Sequence, residues 1–217
     1  MISNKIKVIL VGNTMVGKTS IIGRMKTGTF EEGAMATIGA SFTKIERGKL
    51  NLDVWDTAGQ ERYVALMPMY FRDVKIILFV FDINDIDSIK YINRYKDTLY
   101  DKTNLRIIIL GNKTDLIEQE YSLENITNEL KRNFDDLMLS DKVHGIYFIS
   151  AKEGTNFDKF LEHFYECART LPIDDDNLNI TINNLCGDVN KNNDLNPDLN
   201  PDLNPNLEET NSKCCWT

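Results

Sequence analysis

The sequence predicts an α/β domain built on a six-stranded, mostly parallel sheet with one antiparallel strand and helices on both faces. Three observations lead there. Short β-rich runs alternate with helical stretches through the first three-quarters of the chain, which is the pattern of consecutive βα units. The runs at 75–82, 105–111 and 146–150 are nearly all apolar, as buried parallel strands are when helices cover both sides. Residues 41–47 and 49–56 flank Gly48 and read as a hairpin, the source of the antiparallel strand.

The remaining elements follow in order. Residues 5–11 form the first strand and 17–26 the first helix. Further helices are expected at 64–72, 86–100, 123–139 and 156–170. Ligands of such sheets bind outside the carboxyl ends of the strands, so motifs at those ends carry the most weight.

At 217 residues the chain has room for one ordinary domain, 1–172, and a tail, 173–217. The tail opens with Asp174-Asp175-Asp176, is rich in asparagine, and repeats Asp-Leu-Asn-Pro three times between Asp194 and Pro205. So few apolar residues cannot bury a core, and a flexible spacer is expected, with a binding motif in the repeats as the alternative. The net charge of −8 is uneven: the tail carries −7 of it. No basic stripe exists to follow a phosphate backbone, which excludes nucleic acid as an expected partner.

The longest unbroken apolar run, Ile76 to Phe81, is far shorter than the roughly 20 residues of a membrane helix. The first residues lack the apolar stretch of a signal peptide, and a protein made and kept in the cytosol is expected. Four cysteines and two histidines show neither metal-ligand spacing nor a disulfide framework. Cys167 reads as a small core residue of a helix, and Cys186 stands alone in the tail.

Four motifs carry chemistry. Gly12-Asn13-Thr14-Met15-Val16-Gly17-Lys18-Thr19-Ser20 lies between a strand and a helix and fits a phosphate-binding loop. Its glycines let backbone N–H groups of residues such as Asn13, Thr14, Val16 and Gly17 wrap a phosphate, and the helix N-terminus adds a favourable dipole. Lys18 then reaches the terminal phosphates, and the Thr19 hydroxyl suits Mg²⁺. Trp55-Asp56-Thr57-Ala58-Gly59-Gln60-Glu61 follows the third strand. Asp56 can support the Mg²⁺ shell, the Gly59 amide can reach a γ-phosphate, and Gln60 stands where an attacking water must be oriented. Asn112-Lys113-Thr114-Asp115 follows the fifth strand, and the Asp115 carboxylate can accept both donors of a guanine edge, which adenine lacks. Ser150-Ala151-Lys152 ends the last strand and can bring the Ala151 amide to the guanine O6.

These four elements in this order resemble the Ras superfamily of small GTPases, with its P-loop NTPase fold, over residues 5 to about 170. The resemblance implies that Thr37 is the switch threonine closing on Mg²⁺ and the γ-phosphate, and that Phe30 packs against the base. Ile38-Gly39-Ala40-Ser41-Phe42, the stretch from Trp55 to Tyr63, and Tyr70-Phe71-Arg72 are similar to the Rab family rather than to Ras or Rho. The stretch from Thr37 to Phe42, with Pro68-Met69-Tyr70, looks most like its endosomal branch. By that resemblance Phe42, Trp55 and Tyr70 form an aromatic triad facing effectors. Cys214 and Cys215 would carry two geranylgeranyl groups, since one lipid chain binds membranes only marginally. The acidic tail supplies no basic help at an anionic surface.

What the resemblance implies is a monomeric GTP/GDP switch of vesicle traffic on the cytoplasmic face of endosomes or related vesicles, with a cytosolic pool. Its partners would be a guanine-nucleotide exchange factor, a GTPase-activating protein, a GDP-dissociation inhibitor, a prenylation escort and GTP-state effectors. Thr14 adds bulk beside the γ-phosphate position, and residues 118–145 look longer than is usual for the family. A tolerated surface insertion is expected there, with a partner site as the alternative. Glu61-Arg62 does not read as an internal arginine finger. Two other classes stay open: a non-hydrolysing GTP-binding scaffold, which would leave Gln60 idle, and a P-loop kinase, which would need an arginine-rich lid that the sequence lacks.

Overall fold

The computed structural model describes residues 5–33, 37–59, 67–117 and 123–171. Its strands are β1 (Lys5–Val11), β2 (Ala40–Arg47), β3 (Leu50–Thr57), β4 (Ile76–Asp82), β5 (Arg106–Asn112) and β6 (Val143–Phe148). They form one sheet in the order β2-β3-β1-β4-β5-β6. Only the β2–β3 hairpin pairs antiparallel; β1 pairs parallel with both β3 and β4, and β5 parallel with β4 and β6. The chain order therefore reverses beside β1, and the loops leaving β1, β3 and β5 open on one edge of the sheet.

Strand alternation divides the core between two faces. Val8 and Leu10 of β1 join Ile76, Leu78 and Val80 of β4 beneath α1 (Lys18–Thr27) and α5 (Phe157–Arg169). Ile9 and Val11 join Ile77, Phe79 and Phe81 on the other face. There they meet Ile89 and Ile92 of a 3₁₀ segment (Ile86–Arg94), Leu99 of α3 (Lys96–Tyr100) and Phe134 of α4 (Leu123–Leu139). Every residue of β4 from Ile76 to Phe81 is buried, as expected of a strand covered on both sides. Cys167 is buried in the first cluster, and burial pushes its thiol pKa up, which suits a core role.

Two expectations are corrected. The single helix expected at 86–100 is a 3₁₀ segment followed by the short α3. The Ser88 hydroxyl accepts the Asp82 N–H and donates to the Asp85 carbonyl, and such local bonds compete with the regular helical pattern. The last strand runs Val143–Phe148 rather than 146–150, and its burial alternates because it lies at the sheet edge. The helix expected at 64–72 is described as α2 (Met67–Phe71), with residues 64–66 outside the described ones. The expected domain boundary at 172 and the tail lie outside them too. Among the described residues no helix is long and apolar enough to cross a membrane.

Candidate nucleotide and metal site

β1 ends at Val11, and the phosphate loop turns through Gly17 into α1. Gly17 has φ +96°, a left-handed conformation, and a Cβ on it would lie 2.3 Å from Asn112 Nδ2. Only glycine serves there. Lys18, 6% exposed, donates from Nζ to the carbonyls of Gly12 at 2.9 Å and Asn13 at 2.7 Å. Burial pushes its pKa down to about 8, with the Asp56 carboxylate opposing the shift. The Asn13 side chain accepts the Thr14 N–H at 2.8 Å, so the loop is also held locally. Thr14 is exposed, Val16 buried, and Ser20 half-buried in the first turn of α1.

Three oxygens converge beside Lys18. The Thr19 hydroxyl donates to Asp56 Oδ2 at 2.6 Å and the Thr37 hydroxyl donates to the same oxygen at 2.8 Å. The two hydroxyl oxygens lie 3.1 Å apart. Asp56 is 4% exposed, yet its Oδ1 has no hydrogen-bond partner. Leaving such an oxygen buried costs on the order of 1–3 kcal/mol, and more for a charged group. A hard divalent cation takes oxygen donors of this kind. The residues therefore fit Mg²⁺, with Thr19, Thr37 and Asp56 as the donor set. Gly59 packs against the phosphate loop: a Cβ on it would lie 2.3 Å from Thr14 N, so its own backbone comes as close as glycine permits.

The base loops are joined by one side chain. Asn112, 2% exposed, donates from Nδ2 to the Val16 carbonyl at 2.9 Å and accepts the Ala151 N–H at Oδ1 at 3.0 Å. Asp115, in the 3₁₀ turn Thr114–Leu116, accepts a hydrogen bond from the Ser150 hydroxyl. That hydroxyl in turn accepts the Glu153 N–H at 2.8 Å. The Ala151 N–H, expected to reach a base oxygen, donates to Asn112 Oδ1. Lys113 has φ +69°, and its ammonium pairs with Asp82 Oδ2 at 2.6 Å. Asn84 then closes the corner, donating to the Lys113 carbonyl at 3.2 Å and to Asp82 Oδ1. Thr114 Oγ1 is buried without a partner, like Asp56 Oδ1. Lys152 is exposed and Phe30 half-buried.

Sequence reasoning missed Arg24, which donates to the Ala151 and Lys152 carbonyls, and missed the Asp82–Asn84 corner. A last-turn arginine resembles any helix-ending cation, and a strand-ending aspartate any turn residue. Neither carries a local signal of its distant partner.

The three aromatics form one continuous patch. Register places Phe42 opposite Trp55 on β2 and β3, with ring centroids 5.3 Å apart, and Tyr70 of α2 lies 5.8 Å from Trp55. Phe42 remains 51% exposed, with Ile38 and Met69 also exposed. Gln60, Cys214 and Cys215 lie outside the described residues.

The sequence matches the family model described as Ras family over residues 7–172. It is 35% identical over 185 residues to the human (Homo sapiens) Ras-related protein Rab-22A, an overlap that spans 82% of this chain and 89% of that one. Against the Ras-related protein Rab5 of Nicotiana tabacum it is 33% identical over 174 residues, 76% and 80% of the two chains. The GTP-binding protein YPT53 of Saccharomyces cerevisiae is 40% identical over 126 residues, 55% of this chain and 57% of that one. The phosphate loop, the Asp56 cluster and the Asn112–Asp115 corner thus stand in a chain that belongs to the Ras family, as a GTP- and GDP-binding small GTPase of its Rab branch, whose work is vesicle trafficking.

Proposed function

We propose that this GTPase is a slow, Mg²⁺-dependent timer that recruits effectors to endosomal or related vesicle membranes while GTP is bound. The observation that carries the reading is the cluster of Thr19, Thr37 and Asp56 beside a buried Lys18, with one carboxylate oxygen left free. Thr37 and Thr19 come from separate segments and meet on a single carboxylate. A γ-phosphate and metal that hold this junction would hold the segment carrying Thr37, and their loss would release it.

Lys18 and the loop amides bind the phosphates, Asp115 reads the guanine N–H and amine, and Gln60 orients the attacking water. Mg²⁺, when bound, would neutralise charge on the phosphate oxygens. Catalysis of this kind is positioning and electrostatics without a covalent intermediate. Without an arginine supplied by an activating protein, turnover on the order of 10⁻⁴ to 10⁻² s⁻¹ is expected. The half-exposed Phe42 beside Trp55 and Tyr70, flanked by Ile38 and Met69, offers effectors an apolar surface next to the Thr37 segment. A guanine-nucleotide exchange factor, a GTPase-activating protein and a GDP-dissociation inhibitor with its prenylation escort complete the cycle of a monomer that alternates between membrane and cytosol.

Single-turnover hydrolysis of Mg²⁺-GTP by wild type and Gln60→Leu, with ATP as competitor, tests the timer. Slow turnover that falls by about 10-fold or more in the variant, untouched by ATP, is expected for loss of a water-orienting group. Tight GTP binding with no turnover in either form would instead indicate a non-hydrolysing scaffold. Anchoring is tested separately: replacing Cys214 and Cys215 by Ser should move the protein from the membrane pellet to the supernatant. Unchanged pelleting would refute the two-lipid anchor.

A further inference from the structure

Arg24 lies in the last turn of α1, the helix that begins with Lys18 and Thr19. Its guanidinium reaches the loop after β6. Nε donates to the Ala151 carbonyl at 2.6 Å, Nη2 to the Lys152 carbonyl at 2.7 Å, and Nη1 more loosely to the Gly28 carbonyl at 3.3 Å. The group sits over the Phe157 ring, 5.7 Å from its centroid. Gly154 turns against it so closely that a Cβ there would come within 2.8 Å of Nη1. A positive charge at a helix C-terminus is ordinary and needs no partner loop. A planar fork holding two successive carbonyls, 127 and 128 residues away in sequence, is a different device. It fixes the orientation of the peptides, which a point charge does not.

The loop is gripped from two sides. Asn112 Oδ1 holds the Ala151 N–H and Asp115 holds the Ser150 hydroxyl on the side of the base motif. Arg24 holds the Ala151 and Lys152 carbonyls from α1. Through it, the segment that would read the base is tied to the helix that would bind the phosphates.

We propose that Arg24 is a positioning residue for nucleotide recognition, holding the Ala151 amide where the purine 6-oxo group is read. The proposal rests on the guanine reading above. It separates from that reading because the purine's two polar edges are read by different groups: the 2-amino group by Asp115, the 6-oxo group by the loop that Arg24 holds.

The test measures equilibrium affinity of the full chain for three diphosphates: GDP, its 6-thio analogue, whose sulfur is a poor acceptor, and IDP, which lacks the 2-amino group. In Arg24→Ala, GDP affinity should fall by about 10-fold, the range of one charge-assisted hydrogen bond. The preference for GDP over 6-thio-GDP should shrink towards one, while the preference for GDP over IDP stays at its wild-type value. Arg24→Lys keeps the charge and a single donor; it should give an intermediate 6-thio preference, and it serves if the alanine variant folds poorly. If all three ligands weaken by the same factor and both variants keep the wild-type 6-thio preference, Arg24 only supports the fold and the proposal is overturned. A wild type that does not distinguish GDP from 6-thio-GDP overturns it as well. A wild type that binds IDP as tightly as GDP instead removes the guanine reading beneath it.

Discussion

At the phosphate loop, a lysine is buried with only two carbonyls to satisfy it and an aspartate keeps an oxygen with no partner. At the base loops, Asn112, Ser150 and Asp115 each engage groups across two or three segments, and Arg24 closes the network from behind. The first region concentrates buried charge with few protein partners. The second pairs most of its polar side chains with one another, Thr114 Oγ1 excepted. Affinity for a charged phosphate gains from groups that were costly to bury, because the ligand relieves them. Discrimination between purines gains from groups that cannot move to suit the wrong one. The two ends should therefore respond differently to substitution.

The largest effect is expected at the phosphate end. Lys18→Met should weaken GDP binding by about 1,000-fold or more, the scale of removing one partner from a buried charge pair. Because the methionine no longer buries a charge, thermal stability of the nucleotide-free protein should hold or rise. Equilibrium dialysis and a melting curve read both, and normal GDP retention would refute the phosphate-loop assignment. Next comes Asn112→Ala at the base end, which leaves the Ala151 N–H and the Val16 carbonyl unpaired. It should cost about 1–3 kcal/mol of stability, lowering the melting temperature by several degrees, and weaken GDP by roughly 10- to 100-fold. A loss of affinity with no loss of stability would erase the contrast between the two ends.

The smallest effect is a pH dependence. Burial in the folded protein depresses the Lys18 pKa to about 8 from an ordinary 10.5. The unfolded chain thus binds more protons in that window, and this lysine's cost to stability disappears as pH rises through it. Nucleotide binding follows the opposite sign. Phosphate favours the charged lysine, so affinity is full below about pH 8 and falls by up to about tenfold over the next unit. GDP titrations at pH 7, 8 and 9 would show it; a flat profile would mean that Lys18 stays charged without its ligand.

Much of both ends is written locally. The phosphate loop, Asp56, the Asn112–Asp115 motif and the loop at Ser150 are short strings whose residue types announce their chemistry, and α4 spans Leu123–Leu139 as its apolar spacing predicts. The hairpin about Gly48 is equally local. β6 was less legible, because an edge strand buries one side only and its apolar run continues past its last paired residue into the loop. The 3₁₀ segment escaped notice because its spacing is nearly helical, and a serine hydroxyl decides the backbone pattern.

By itself, then, the sequence determined the α/β class, the phosphate-loop and base-loop motifs, and the family, since each motif is a short string at the end of one strand and their order along the chain carries the rest. Tertiary structure alone decided that Thr19 and Thr37 share one oxygen of Asp56, that Asn112 takes the Ala151 amide, that Lys113 pairs with Asp82, and that Arg24 straps the far loop to the phosphate helix. Those contacts join segments separated by 18 to 128 residues. Hydrogen bonding depends on direction and distance to within tenths of an ångström, and only the packed sheet sets these.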